Sequence, residues 1–277
     1  MEQERKRESV LLEKFEKFLV SIPLDRYREE LLPIKTVEQD LPKQLNPLPD
    51  IYKEYWTDDV RKSFATFDDF FDSWWEGKLR EIDQFAQRYF WGCSWKFVRL
   101  GFKARLYRTF VSVLTQFHFS YAWKSCCNSS LKAEPELDMQ GVDAEVFVNN
   151  VKVALQIKKE TYRAEASLGG RFVSRKPRYR LVVEVPYTVT KPDEWKNRCK
   201  NAKLDHTRKK YEQMYFLASR LQRWLENGFV VFTEKYPQAV EAFIAEYVAE
   251  PSKFNTGPVY MDWSEVIAEV EKRLGVS

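Results

Sequence analysis

Two stretches of alternating apolar residues, separated by a pair of asparagines, constrain the fold of this chain more than any other feature. The stretches are Val142–Val148 and Val151–Ile157, and they flank Asn149 and Asn150. Asparagine tolerates the positive φ angles that a two-residue hairpin turn requires. The sequence therefore predicts an antiparallel β-hairpin that folds at the two asparagines.

Polar side chains gather at the open end of this predicted hairpin. Asp138 and Asp143 lie before and at the start of the first strand, and Gln156 and Lys158 lie near the end of the second. Side chains two residues apart on a strand project from one face, so Gln156 and Lys158 point together. Folding at the asparagines brings them back beside Asp143. Acid, amide and lysine are thus predicted to converge at one end of a sheet.

This combination suits metal-assisted hydrolysis of a phosphodiester. A hard cation such as Mg2+ binds one or two carboxylates together with water and phosphate oxygens. The metal lowers the pKa of its water and neutralises charge on the phosphorus oxygens, and a nearby lysine can orient the water or stabilise that charge. The alternative is a surface hairpin whose polar residues are merely solvated, and the spacing alone leaves both interpretations open.

The charge of the chain is unevenly distributed. The net charge is +4, but residues 151–210 carry 17 Lys and Arg against 6 Asp and Glu, and the remainder is net acidic. Such a basic segment fits an anionic polymer as partner, because phosphate neutralisation dominates nucleic-acid affinity; a solvated basic face is the alternative. The candidate DNA-contacting residues are Arg163, Arg171, Arg175, Lys176, Arg178, Arg180, Arg105 and Arg108.

Composition excludes several other classes of protein. No apolar run approaches the length that spans a bilayer, and the charged N-terminus is not followed by the apolar segment of a signal peptide. The 4 cysteines and 2 histidines lack the spacing of a zinc site or a disulfide framework. We expect a folded cytoplasmic protein with reduced thiols and no membrane partner.

The rest of the pattern predicts an α/β protein, in which a mixed β-sheet is flanked by helices and an N-terminal helical layer is added. Residues 179–187 are predicted to form a further strand of the hairpin's sheet, and residues 188–203 a polar connection. Helices are predicted over residues 4–20, much of 51–91, 101–123, 204–224, 237–249 and 263–274. The aromatic residues of 51–91 are predicted to pack in the core or against a partner instead of stacking on bases, because their acidic neighbours would repel a phosphate backbone.

Two domains are predicted from this order. Residues 1–100 form an accessory region that includes a proline-rich arm at 33–49, and residues 101–277 form the catalytic core with a basic insert at about 161–210.

Several stretches are similar to a known family. A helix, an aspartate and a strand ending in Gln-x-Lys resemble the core of the PD-(D/E)xK nucleases. Within that superfamily the chain resembles the TaqI-type restriction endonucleases. The stretches that carry this resemblance are Pro33-Ile-Lys-Thr-Val-Glu-Gln-Asp-Leu-Pro42, Leu45-Asn-Pro-Leu-Pro49, Ala104-Arg-Leu-Tyr-Arg-Thr109, Leu114-Thr-Gln-Phe-His118, Leu137-Asp-Met-Gln-Gly-Val-Asp143 and Leu155-Gln-Ile-Lys-Lys-Glu-Thr-Tyr-Arg163.

The resemblance implies a bacterial or archaeal type II restriction endonuclease. Such an enzyme would be a Mg2+-dependent homodimer that cleaves double-stranded DNA at a short palindrome and leaves 5′-phosphate ends. The expected target is TCGA, which the family's type member cuts, and a cognate DNA methyltransferase is the expected companion.

Carried over by position, the resemblance makes Asp138 and Asp143 the acidic pair and metal ligands, with Gln156 as a third ligand. The catalytic lysine is Lys158 or Lys159. Strand alternation favours Lys158, because it shares a face with Gln156, whereas a bulge would select Lys159.

One position departs from the superfamily pattern. Gln156 stands where an Asp or Glu is usual, and a carboxamide can ligate Mg2+ but brings no charge. The second carboxylate must therefore come from elsewhere, with Asp138 as the main candidate and Glu160 as a weaker one.

Two rival functions remain open at this point. One is a non-catalytic DNA-binding protein in which the hairpin is structural, and metal-dependent cleavage would exclude it. The other is a PD-(D/E)xK nuclease of repair or RNA processing, which would act without sequence preference or on single strands.

Overall fold

The computed structural model describes residues 2–34, 41–160, 179–254 and 257–275. These residues divide into two compact units. The sheet unit contains described residues of 1–12, 118–224 and 230–277, and the helical unit contains those of 13–117 and 225–229. The predicted functional division into residues 1–100 and 101–277 stays a prediction.

Helices make up most of the helical unit. Two longer helices, Glu2–Ser21 and Trp95–Cys126, contribute residues to both units. The other helical segments of the helical unit are Leu24–Leu31, the 3-10 turn Lys43–Leu45, Leu48–Tyr55, Phe67–Gly77 and Leu79–Tyr89.

The sheet unit contains seven described strands and five α-helices. The strands are β1 (Ser130–Lys132), β2 (Ala144–Val148), β3 (Val151–Lys159), β4 (Leu181–Tyr187), β5 (Gln222–Trp224), β6 (Val230–Phe232) and β7 (Val259–Met261). The α-helices are Pro135–Asp138, Pro192–Asn201, Asp205–Phe216, Lys235–Val248 and Trp263–Arg273, with a π-helical turn at Leu217–Leu221 and a 3-10 turn at Pro251–Phe254.

The central sheet is mixed. Its strand order is β1-β2-β3-β4-β7. β1, β2 and β3 pair antiparallel, whereas β3 with β4 and β4 with β7 pair parallel. Strands β5 and β6 form a separate antiparallel pair. The predicted α/β class and the predicted place of the 179–187 strand in the hairpin's sheet are confirmed.

The predicted hairpin is present and turns at the two asparagines. Val148 pairs with Val151, and Asn149 and Asn150 have φ angles of 49° and 63°. Two consecutive positive φ angles are the signature of a type I′ turn, whose twist matches that of the flanking strands. The Asn149 side chain also donates a hydrogen bond to the carbonyl of Ala245, at 3.3 Å.

Burial follows the strand alternation. On β3, Val153, Leu155 and Ile157 are buried on one face, and Gln156 and Lys158 project from the other. All seven residues of β4 are buried, as expected for an internal strand with parallel neighbours on both sides.

Most aromatic residues of 51–91 are buried in the core of the helical unit, as predicted, whereas Tyr89 and Trp91 are exposed. Those buried in the helix Phe67–Gly77 are Phe67, Phe70, Phe71, Trp74 and Trp75. In the same helix, Asp68 accepts a hydrogen bond from Tyr27 at 2.9 Å and pairs with Lys103 at 2.6 Å. Burial alone would raise the pKa of Asp68, but hydrogen bonds from Lys103, Arg26 and Tyr27 hold it below its usual value.

The prediction of a connection at 188–203 was wrong, because that segment contains the helix Pro192–Asn201. Proline near the first helical position and the acidic residues Asp193 and Glu194 in the first turn are ordinary helix-start signals. The predicted helix over 204–224 also ends earlier, since Gln222–Trp224 forms strand β5. Within the described ranges, no helix has the length and hydropathy required to cross a membrane.

The turn conformation yields a stability prediction. A β-branched residue pays about 1–2 kcal/mol in the left-handed region, whereas glycine adopts it freely. We therefore expect Asn150→Val to lower the free energy of unfolding by about that amount, and Asn150→Gly to leave it nearly unchanged. Urea denaturation of both variants checks this, and equal losses in the two would contradict the assigned turn.

Candidate active site

The candidate site is built on one face of three neighbouring strands. Gln156 on β3 is the direct parallel partner of Glu184 on β4. Asp143 immediately precedes β2, and its N–H donates to the carbonyl of Leu155 at 3.0 Å, which continues the β2–β3 ladder. Sheet pairing thus aligns an acid, an amide and a second acid in one row across the sheet.

Asp143 is anchored to the neighbouring strand by its side chain as well as by its backbone. Its Oδ2 accepts a hydrogen bond from the N–H of Ile157, at 2.5 Å. The side chain is partly exposed. Its carboxylate is therefore held beside β3 at the level of Gln156 and remains within reach of solvent.

Gln156 is almost completely buried, with 2% of its surface exposed. Its Nε2 donates to the carbonyl of Gly141 at 2.5 Å, while its Oε1 has no hydrogen-bond partner among the described residues. Gly141 adopts a φ of 73°, a conformation that favours glycine and directs its carbonyl at the amide. The loop before β2 therefore fixes the amide and leaves one buried acceptor oxygen available.

Lys158 lies two residues further along the same face. Its ammonium forms an ion pair with Glu184 and donates to the hydroxyl of Tyr260 on β7, at 3.3 Å. The side chain is about one-third exposed. The lysine is thus held over the end of the polar row instead of extending into solvent.

Glu184 is a residue that the sequence reasoning missed. It is 4% exposed. Besides the pair with Lys158, its Oε2 accepts the N–H of Trp263, at 3.3 Å. Trp263 begins a helix that Asp262 caps through a capping box, so the carboxylate lies at the positive end of that helix. The available signal was one acidic residue inside the apolar run Leu-Val-Val-Glu-Val.

Glu160 follows β3 and is also buried, with its N–H bonded to the carbonyl of Tyr187 at 2.7 Å. Burial, and next the nearby charge of Glu184, raise the pKa of Glu160 to about 7. Glu160 was predicted only as a weaker source of the second carboxylate.

Two other predicted site residues lie apart from this row or at its margin. Asp138 ends the helical turn Pro135–Asp138, and its carbonyl accepts the N–H of Gly141 at 2.6 Å. It therefore belongs to the loop that contacts Gln156. Lys159 is exposed and, by strand alternation, lies on the opposite face from Lys158.

Three of the predicted DNA-contacting residues, Arg105, Arg108 and Arg180, lie within the described ranges. Arg180 is exposed and immediately precedes β4. Arg105 and Arg108 belong to the helical unit, where the Arg108 guanidinium donates to the carbonyls of Leu32 and Ile34 at 3.2 and 3.0 Å. The remaining predicted residues, Arg163, Arg171, Arg175, Lys176 and Arg178, lie outside the described residues.

The donor set of the polar row is made of oxygen atoms. The described ranges contain no cluster of three His, Cys, Asp or Glu that could hold a metal ion. The row instead combines two carboxylates, Asp143 and Glu184, with the buried unpaired oxygen of Gln156. Carboxylate and carboxamide oxygens are the ligands that hard divalent cations prefer, so the residues fit such an ion.

Comparison with known proteins places the chain among restriction endonucleases. Residues 12–244 match the family model described as TaqI restriction endonuclease. The chain belongs to this family, which confirms the resemblance seen in the sequence.

Two relatives agree with this assignment. The chain is 50% identical over 234 residues to "Type II restriction enzyme TaqI" of Thermus aquaticus, covering 84% of this chain and 88% of that protein. It is 47% identical over 238 residues to "Type II restriction enzyme TthHB8I" of Thermus thermophilus, covering 85% and 89% of the two chains. No solved structure gives a significant match.

The raised pKa of Glu160 predicts how stability depends on pH. The native state retains a proton on Glu160 up to about pH 7, whereas the ordinary pKa of a glutamate is 4.5. Stability is therefore lost as the pH rises through this window, with a slope of at most about 1.4 kcal/mol per pH unit. Glu160→Gln should flatten the loss. The pH dependence of stability is measured by urea denaturation of both proteins in EDTA between pH 4 and 8, a range of about four units that brackets the window. Parallel profiles of the two proteins would refute the assignment.

Proposed function

We propose that this chain is a Mg2+-dependent type II restriction endonuclease that hydrolyses double-stranded DNA at the palindrome TCGA and leaves 5′-phosphate ends. The observation that carries the proposal is the convergence of Asp143, Gln156 and Lys158 on one sheet face, in a chain of the TaqI restriction endonuclease family. The relatives named above are type II restriction enzymes. The arrangement also supports a PD-(D/E)xK core as the finer description of the fold.

Asp143 and Gln156 are proposed to hold the cation, with Asp138 contributing directly or through water. When bound, Mg2+ lowers the pKa of a bound water and neutralises charge on the phosphate oxygens. The hydrogen bond from Ile157 N–H fixes the direction of the Asp143 carboxylate. The bond from Gln156 to Gly141 in the same way presents its oxygen to the row.

Lys158 is proposed as the catalytic lysine. Its pairing with Glu184 keeps the ammonium on the face that carries Asp143 and Gln156. From there it can orient the attacking water and stabilise charge that develops on the phosphate. Lys159, exposed on the opposite face, lacks this placement.

Exposed positive charge in the sheet unit supports DNA as the substrate. The helices Pro192–Asn201 and Asp205–Phe216 follow β4 and present exposed lysines and arginines. These groups, with Arg180, are suited to phosphate contacts. Further phosphate and guanine contacts are proposed for Arg163, Arg171, Arg175, Lys176, Arg178, Arg105 and Arg108.

A palindromic target matches a two-fold homodimer in which each subunit cuts one strand. A cognate methyltransferase would protect host DNA.

A plasmid assay tests the cleavage proposal. We expect discrete bands with Mg2+ and intact plasmid with EDTA, with the cuts mapping to TCGA. Asp143→Ala removes a ligand and should reduce the cleavage rate by about a thousandfold or more, while specific binding to a TCGA duplex is retained. A smear would indicate a nonspecific nuclease, and a shifted but intact plasmid a binding protein. Loss of folding in Asp143→Ala would remove the catalytic assignment.

The two adjacent lysines provide a matched pair of variants. Lys158→Met should lower the single-turnover cleavage rate about a hundredfold or more, because it removes a charge that acts in the transition state. Lys159→Met removes the same charge from the other face and should cleave at nearly the wild-type rate. The reverse pattern would show that the register is shifted and that Lys159 is the catalytic residue.

A further inference from the structure

We propose that Glu184 is a direct carboxylate ligand of the active-site cation, alongside Asp143, and that it supplies the charge that Gln156 lacks, so that any contribution of Asp138 is through water. This inference rests on the proposed function, because it assumes a divalent cation beside Asp143 and Gln156. It places a metal ligand on β4, outside the β2–β3 hairpin.

The register of the sheet carries the first part of the argument. Gln156 and Glu184 are direct partners across the parallel β3–β4 pair. Adjacent strands lie about 4.8 Å apart, and partnered residues project from the same face. The acid expected at position 156 is therefore displaced sideways by one strand while staying in the same row.

The unpaired oxygen of Gln156 is a second indication that a cation binds in this row. Gln156 is 2% exposed, its Nε2 is used by the Gly141 carbonyl, and its Oε1 has no hydrogen-bond partner among the described residues. Buried acceptors are nearly always satisfied, so an acceptor oxygen without a protein donor is suited to a bound cation. A cation bound between Asp143 and Glu184 would satisfy this oxygen.

The existing contacts of Glu184 leave room for a metal ligand. One oxygen pairs with Lys158 and the other accepts the Trp263 N–H. An ionised carboxylate has about four lone-pair sites on its two oxygens, so neither contact must break when a cation binds. The rival role is that Glu184 only positions Lys158.

The ligand role is tested by measuring how tightly the whole chain binds Mn2+, with and without a TCGA duplex. Electron paramagnetic resonance or calorimetry gives the affinity. Glu184→Gln preserves shape and removes the charge, and should weaken Mn2+ binding about tenfold or more. The matched control is Glu145→Gln. Glu145 is 4% exposed, is ion-paired with Lys152 at 3.2 Å, and lies on the same sheet face, and its variant should bind Mn2+ as the wild type does.

A double-mutant cycle separates the two roles. If Glu184 ligates the cation, Glu184→Gln weakens Mn2+ binding equally in the wild type and in a Lys158→Met background. If Glu184 acts only through Lys158, the loss disappears in that background, which overturns the proposal. In the double variant Gln156→Glu/Glu184→Gln, the charge moves back to β3, and Mn2+ affinity should recover. Should Glu184→Gln fail to fold, Glu184→Asp keeps the charge with a shorter reach, and unchanged Mn2+ affinity in that variant counts against the proposal.

The Mn2+-binding test of Glu184 and the cleavage test of the proposed function can fail separately. A wild type that cleaves TCGA while Glu184→Gln binds Mn2+ normally refutes the ligand role and leaves the proposed function standing. A wild type that binds Mn2+ through Asp143 and Glu184 but cuts no DNA supports the ligand role and refutes the proposed function. A wild type that binds no Mn2+, with or without the duplex, also overturns the ligand role.

Discussion

The pairing of β3 with two different neighbours is the constraint on which the candidate site depends. β3 pairs antiparallel with β2 and parallel with β4. A slip of one residue in either ladder would turn Gln156 and Lys158 to the opposite face and bring Leu155 and Ile157 toward the polar row. Because Leu155 and Ile157 are buried, the hydrophobic effect opposes that slip. Apolar packing on one face of β3 therefore fixes the polar chemistry on the other.

The charges in the row are held at an energetic cost. Taking a carboxylate out of water costs several kcal/mol unless other groups compensate. For Glu184 the compensation comes from the Lys158 ammonium and the N–H of Trp263 at a helix N-terminus. An apolar pair at these positions would stabilise the fold as well or better. Burial, and next the nearby charge of Glu184, raise the pKa of Glu160, which is a cost to stability at neutral pH. The row is therefore better explained by chemistry than by stability.

Local rules made part of this arrangement predictable. The positive φ angles of the two asparagines and the alternation along β3 follow from short-range geometry, and both agree with the structure. Glu184 was not predictable in this way, because parallel register is set by tertiary packing between strands that are distant in the chain. The helix Pro192–Asn201 was missed for a different reason. Its polar, basic composition favours a connection, although proline and acidic residues mark the start of a helix.

The carboxamide at position 156 has a physical explanation on the proposed assignment of Glu184. A glutamate there would be the direct neighbour of Glu184 across the β3–β4 ladder. Two like charges at that separation in a buried site would raise the pKa of at least one of them, and a protonated acid is a poorer ligand than an ionised one. A glutamine keeps an oxygen donor in the row and avoids this repulsion, while Glu184 keeps its ion pair with Lys158. Gln156 and Glu184 are then best understood as one unit, in which the oxygen donor and the negative charge are placed on adjacent strands.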